Sequence, residues 1–342
     1  MKTTSGNFRI GIIGCGYWGP NLIRNFSSVK GSQVKYICDL DAERLAVVHE
    51  QFPACQPTTD YKTLLADPEL DAVAIATPVF AHHRLAIDAL NAGKHVFIEK
   101  PLASSVAEAE EIVALAREKG LVLQVDHTFV YTSAVQKIKE LVDSGELGDL
   151  LYFDSVRVNL GLFQSDINVI WDLAPHDFSI MDYVFAQKPV AISAQGRAHF
   201  GMKFEDIAYV TAYFDTDTIA HFHVNWLSPV KIRQVLLGGS RKMLVWDDMD
   251  VSEPVKVYDR GVELGEGKGG LYNALVQYRL GDMHAPRLAA REALRLEAQH
   301  FKECVEQGKS PTTDGEMGLR VVKLLEATQK SLENGGQKIP IT

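Results

Sequence analysis

The sequence predicts an α/β fold in two parts: a doubly wound parallel sheet over residues 1–126, then an α+β domain with a large, mostly antiparallel open sheet over 127–342. Three observations support this. An apolar run, residues 8–13, meets a glycine-rich turn, Gly14-Cys15-Gly16-Tyr17-Trp18-Gly19. Short apolar runs then alternate with amphipathic stretches, as in strand–helix–strand units. Beyond His127 the pattern changes to long alternating strands with no helix between them.

Each element has a local reason. Residues 8–13 suffice for a buried strand. Pro20 falls in the first turn of the next helix, where a missing N–H costs nothing. Leu22, Ile23, Phe26 and Val29 give that helix one apolar face. A second strand, residues 33–38, ends in Asp39. Strand, G-x-G-x-x-G, helix, strand, acid is the Rossmann pattern for a dinucleotide. Gly14 makes the tight turn, Gly16 leaves room for a pyrophosphate, and Gly19 lets the helix lie close to the strand. Tyr17 and Trp18 complete the turn, and the helix start offers N–H groups to the phosphates. Asp39, 20 residues past Gly19, is placed to accept hydrogen bonds from ribose hydroxyls. A carboxylate there repels a 2′-phosphate, which favours NAD over NADP. Arg44 is the nearest cation.

A helix over 41–51 ends at Pro53, and a short helix covers 61–66. Strand 71–76 runs into Thr77-Pro78. Ligands of such sheets sit past the carboxyl ends of the strands, so Thr77, Pro78 and His82 are candidate cofactor contacts. Helix 85–92 stops at Gly93. Strand 95–98 runs into Glu99-Lys100-Pro101, which puts a charged pair in the crevice beside the nicotinamide. A helix from Ser104 and Ser105 to Lys119 and a strand over 121–125 close this part. The second part opens with a helix over 133–144. Strands follow over 150–159, 190–198, 207–215, 219–227, 233–237 and 242–246. Residues 261–270 read as a glycine-rich, acidic loop, and helices cover 286–307 and 315–334.

Composition narrows the function. Of 342 residues, 46% are hydrophobic and 23% charged, as in ordinary globular proteins. A net charge of −9 argues against nucleic acid or an anionic membrane as main partner. No stretch approaches the roughly 20 apolar residues of a membrane span. Cys15, Cys38, Cys55 and Cys304 show no metal spacing, so no metal site is expected, and a reducing cytoplasm suits them.

At Ile98-Glu99-Lys100-Pro101 the chain resembles the Gfo/Idh/MocA oxidoreductase family over nearly its whole length. Trp171-Asp172-Leu173-Ala174-Pro175-His176-Asp177 is similar to the family's Asp-x-x-x-His segment at a helix start. Asp172 and His176 stand at i and i+4, so they share a helix face. The resemblance implies NAD-dependent oxidation of a sugar hydroxyl, with Lys100, Asp172 and His176 catalytic. An imidazole suits a base at neutral pH, an ammonium can stabilise negative charge on the reacting oxygen, and Lys100 as base stays open. Taken alone, Asp172 also reads as an N-cap and His176 as a core histidine.

Three further stretches resemble family members that act on nucleotide-activated sugars: Asp126 to Tyr131, Arg157 to Gly161, and Asn225 to Arg233. They imply UDP-N-acetylglucosamine oxidised at C3 as the substrate, with Lys100, Tyr131, Arg157, Asn159, Asp172, His176, Lys231 and Arg233 as contacts. Arg157, Lys231 and Arg233 would meet phosphates, while Tyr131 or Trp226 would pack on a ring. Another UDP-sugar, myo-inositol or a free hexose, and a non-catalytic NAD sensor, are the alternatives. A homodimer or homotetramer packed through the second sheet is expected.

Overall fold

The computed structural model describes residues 7–161, 167–264 and 276–341, and the chain divides into two compact units. Unit 1 comprises residues up to Thr132 and returns for Arg291–Lys323; unit 2 comprises Ser133–Ala290 and Leu324–Thr342.

Unit 1 alternates strand and helix: β1 Phe8–Ile13, α1 Gly19–Ser28, β2 Ser32–Cys38, α2 Ala42–Gln51, β3 Gln56–Thr58, α3 Tyr61–Leu65, β4 Ala72–Ile75, α4 His82–Asn91, β5 His95–Glu99, α5 Val106–Lys119 and β6 Leu123–Asp126. The sheet order is β3-β2-β1-β4-β5-β6 with all pairs parallel. The order reverses between β1 and β4, and that switch point is where such sheets bind ligands. β4 is buried on both faces, which is why Ala-Val-Ala-Ile shows no alternation. The short β3, unread in the sequence, contains Pro57 and sits at the sheet edge, where a missing N–H is tolerated. Asp41 caps α2, accepting from the N–H groups of Glu43 and Arg44, so that helix begins one residue later than periodicity suggests.

Unit 2 begins with α6 Ser133–Asp143, β7 Leu150–Leu160 and α7 Val169–Val184. The strands β8 Ala191–Arg197, β9 Ile207–Tyr213, β10 Ile219–Asn225, β11 Leu227–Gly239, β12 Met243–Asp247 and β13 Val255–Tyr258 follow. β14 Gly261–Leu264, β15 Val276–Arg279 and β16 Met283–His284 complete this run, then come α8 Ala293–Gln307, α9 Gly315–Glu333 and β17 Ile339–Pro340. Nine strands form one sheet, β16-β13-β12-β11-β7-β10-β9-β8-β17, antiparallel except for β10 beside β7. α7 packs on one face, where Phe178 meets Phe222 edge-on at 4.9 Å.

Three expectations change. Residues 261–264 are not loop: β14 pairs with β15, and 265–270 lie outside the described residues. α8 starts at Ala293 rather than Pro286, because Glu292 is extended. Sequence order alone assigns α8 to the second domain; packing assigns it to unit 1. Leu294, Ala298, Phe301 and Cys304 enter the same core as Phe8, Phe26 and Phe97. The Phe301 ring lies 5.6–6.2 Å from those three rings, edge to face.

Candidate active site

The glycine turn is shaped by contact. Gly14 has φ +104°, and a Cβ on it would stand 2.4 Å from the Ala76 carbonyl oxygen. A Cβ on Gly19 would stand 2.2 Å from the Gly14 carbonyl oxygen. Gly16 has nothing within 4 Å of that position. The first and third glycines thus allow backbone crossings, and the second leaves open space for a ligand. Tyr17 is 92% exposed and stacks on Trp18. Nearby, the buried Thr77 Oγ1 has no hydrogen-bond partner among the described residues. A cradle open at Gly16 and an orphan hydroxyl at the end of β4 fit a bound dinucleotide.

Asp39 is held rather than free. Its Oδ2 accepts from the Cys15 N–H at 2.7 Å and its Oδ1 from the Asp41 N–H at 2.9 Å. Arg44 Nη1 lies 3.4 Å away. The turn therefore aims the acid, and Leu40 beside it is 89% exposed. An Asp39→Ser variant that retains Arg44 is expected to lose about 10–100-fold in NAD preference over NADP, the size of one or two charged hydrogen bonds, as read by kcat/KM with each cofactor.

His82 and Glu99 differ from expectation as cofactor contacts. His82 is buried, with Nδ1 3.0 Å from the Pro101 carbonyl oxygen and Nε2 2.9 Å from that of Thr77. It ties the end of β4 to the cis Lys100–Pro101 turn. Burial pushes its pKa down, so a neutral ring donates to one carbonyl at a time. Glu99 is also buried, and burial and the neighbouring Asp126 push its carboxyl well above the usual range. Lys100, the next residue, is half-buried, and Pro78 is exposed.

In unit 2, Asn168 caps α7 through the N–H groups of Ile170 and Trp171. Asp172 is therefore not the cap. The helix starts earlier than an Asp172 cap would place it, and the Pro175 ring sits in the second turn, where it removes one helical hydrogen bond. Asp172 and His176 lie on consecutive turns, both half-buried. Trp226 is buried and donates its indole N–H to Asp172 Oδ2 at 3.0 Å, so it orients the acid and does not pack on a sugar. Gly161 permits this: a Cβ there would stand 2.8 Å from the indole and 3.3 Å from Asn159 Nδ2.

Two expected substrate contacts have other work. Arg157 is buried and paired with Asp177 through two bonds, Nε–Oδ2 at 2.7 Å and Nη2–Oδ1 at 2.9 Å. Tyr131 lies in unit 1, buried, with its hydroxyl 3.3 Å from Gln124 Nε2 and 3.4 Å from Thr313 Oγ1. Lys231 is exposed on β11, and Arg233 pairs with Asp248 at 3.3 Å. Among the described residues no group of three His, Cys, Asp or Glu is placed to hold a metal, and no helix is long and apolar enough to cross a membrane.

Sequence reasoning missed Glu297 of α8. The signal was present: Glu297 stands three residues after Leu294 and four before Phe301, inside the apolar stripe of its helix.

The glycine cradle, the aimed Asp39 and the orphan Thr77 hydroxyl define a dinucleotide-binding protein. Residues 8–127 match the model described as the oxidoreductase family with an NAD-binding Rossmann fold, and 135–245 match the GFO/IDH/MocA C-terminal domain. The chain belongs to the Gfo/Idh/MocA oxidoreductase family, which includes dehydrogenases that act on sugar hydroxyls. Its similar relatives include a UDP-N-acetylglucosamine 3-dehydrogenase from Acidithiobacillus ferrooxidans, 28% identical over 92% of this chain and 94% of that protein. The NAD-dependent scyllo-inositol 2-dehydrogenase of Bacillus subtilis is 25% identical over 96% and 94%. A solved structure of the Acidithiobacillus enzyme superposes with a TM-score of 0.82 at 26% identity, covering 96% of this chain and 98% of that one.

Proposed function

We propose that this protein oxidises the C3 hydroxyl of a nucleotide sugar, UDP-N-acetylglucosamine first, to a 3-keto sugar. The observation that carries this is the Asp172–His176 pair on one helix face, with Asp172 aimed by Trp226. The full-length likeness to the Acidithiobacillus enzyme supports the choice of sugar. NAD, when bound, supplies the hydride acceptor. His176 takes the hydroxyl proton, and Asp172 orients the ring or balances its charge. Lys100 stabilises developing negative charge on the oxygen. Lys231 is offered to the phosphates of the nucleotide, and Asn159 is a further substrate contact.

Purified protein with NAD is expected to produce NADH absorbance on UDP-N-acetylglucosamine, within a panel of UDP-sugars, inositols and free hexoses. Turnover confined to inositol or hexose overturns the choice of sugar. The inositol reading is the second one, because the Bacillus relative covers the chain equally well.

We also propose self-association through the half-exposed face of the nine-stranded sheet. Tyr209 there is 46% exposed and stacks on His223 at 4.5 Å. A dimer or tetramer in light scattering is the expected result. The four unpaired, buried cysteines suit a cytoplasmic setting.

A further inference from the structure

Three acids meet inside unit 1, just behind Lys100. Glu99 ends β5, and its register partner on β6 is Asp126. Glu297 enters from α8 with no exposed surface, while Asp126 is 1% and Glu99 7% exposed. The Thr128 hydroxyl donates to Asp126 Oδ1. Asp126 Oδ2, Glu99 Oε1 and both oxygens of Glu297 are buried and make no hydrogen bond of good geometry among the described residues, although the Gln124 side chain acts on Glu297 and the Lys100 N–H on Glu99. Yet the Asp126 carboxyl lies within hydrogen-bonding reach of both glutamates. Two carboxylates cannot bond one another; one of each pair must carry a proton.

Burial, then Asp126, raises Glu99, while Lys100 opposes. Burial, then Asp126 and Glu99, raises Glu297, while the Gln124 side chain opposes. Tyr131 is a further titratable neighbour, and burial pushes its hydroxyl up too; the buried His127 follows Asp126 directly in the chain. Burial and mutual charge therefore favour the protonated forms of Glu99 and Glu297.

We propose that Glu99 and Glu297, gathered around Asp126, act as one proton-holding group, with Glu297 as its positioning residue, and that the group gains a proton when the cofactor passes from oxidised to reduced. This rests on the reading that the end of β5 faces the nicotinamide. The oxidised ring carries a positive charge, which favours an ionised carboxyl nearby; the reduced ring does not. The proton is drawn from solvent, and no bond to carbon is made or broken at the group. By reciprocity, NADH binding strengthens relative to NAD binding as pH falls.

The test uses the full chain. An infrared difference spectrum, NADH-bound minus NAD-bound, is expected to show a positive protonated-carboxyl C=O band at neutral pH. Glu297→Gln should abolish or shift it, and Glu99→Gln should do the same. Titrations should show the ratio of Kd for NAD to Kd for NADH rising as pH falls, by up to about tenfold per pH unit for one linked proton. That slope should flatten in Glu297→Gln. Stability gives a further readout. Carboxyls raised in the folded state contribute stability below the unfolded carboxyl range and lose it as pH rises through their folded pKa. The urea midpoint of the wild type should therefore fall at alkaline pH more than that of Glu297→Gln. A flat Kd ratio with no carboxyl band overturns the proposal. Undiminished turnover in Lys100→Met, with the band present, would instead overturn the catalytic assignment of Lys100.

Discussion

His176→Asn is expected to lower kcat by about 10²–10⁴-fold, the range for removing a positioned general base. Asparagine keeps a polar side chain of similar reach and cannot take the proton. NAD affinity should change little, since the phosphates and the ribose are offered the glycine turn and Asp39, which the substitution does not touch. Lys100→Met is the companion test. It keeps the aliphatic stem and removes the charge, so kcat should fall by about 10²–10³-fold, as when a group stabilising an oxyanion is lost. The pH profiles separate the two. If His176 is the base, Lys100→Met retains the acidic limb of the wild-type profile and His176→Asn loses it. The reverse pattern makes Lys100 the base. If both variants keep full turnover on every sugar of the panel, the dehydrogenase mechanism proposed here is wrong.

Arg157→Met is expected to cost about 3–5 kcal/mol of stability, because it strands a buried carboxylate. Asp177 has side-chain exposure of 2% and meets Arg157 through both oxygens. The double variant Arg157→Met with Asp177→Leu should recover much of the loss, since a buried pair swapped for apolar residues is often neutral. Urea unfolding of the two variants checks this. A diphosphate contact would behave differently: Arg157→Met would raise KM for a UDP-sugar and leave the unfolding midpoint in place.

Arg157 also shows where reading the chain falls short. An arginine among alternating strand residues has the same appearance whether it faces a phosphate or a buried acid. Its partner stands 20 residues away, on α7. Tyr131 and Trp226 repeat the lesson. An aromatic with a polar tip suits a ligand ring, but both tips are hydrogen-bonded inside the protein, to Gln124 and to Asp172. His82 opens α4, in the segment that follows β4, and its ring faces two carbonyl oxygens of the chain itself. Candidate residues were legible by type and by region. Which atoms they face was not, because partners 5 to 160 or more positions away leave no local trace.

The Rossmann unit was legible because its requirements are local. A positive φ at Gly14, a helix close behind Gly19 and an acid after β2 are adjacent steps along one short stretch. Backbone sterics and hydrogen bonding act there over a few residues, so residue order is enough. The Asp172–His176 pair is legible for the same reason, since a helix brings i and i+4 together. Tertiary structure alone decided the rest: α8 returning to the first core, Trp226 under Asp172, and Glu297 beside Asp126 and Glu99. Those contacts join elements far apart in sequence. Desolvation and charge, which give them their chemistry, depend on what surrounds an atom in space.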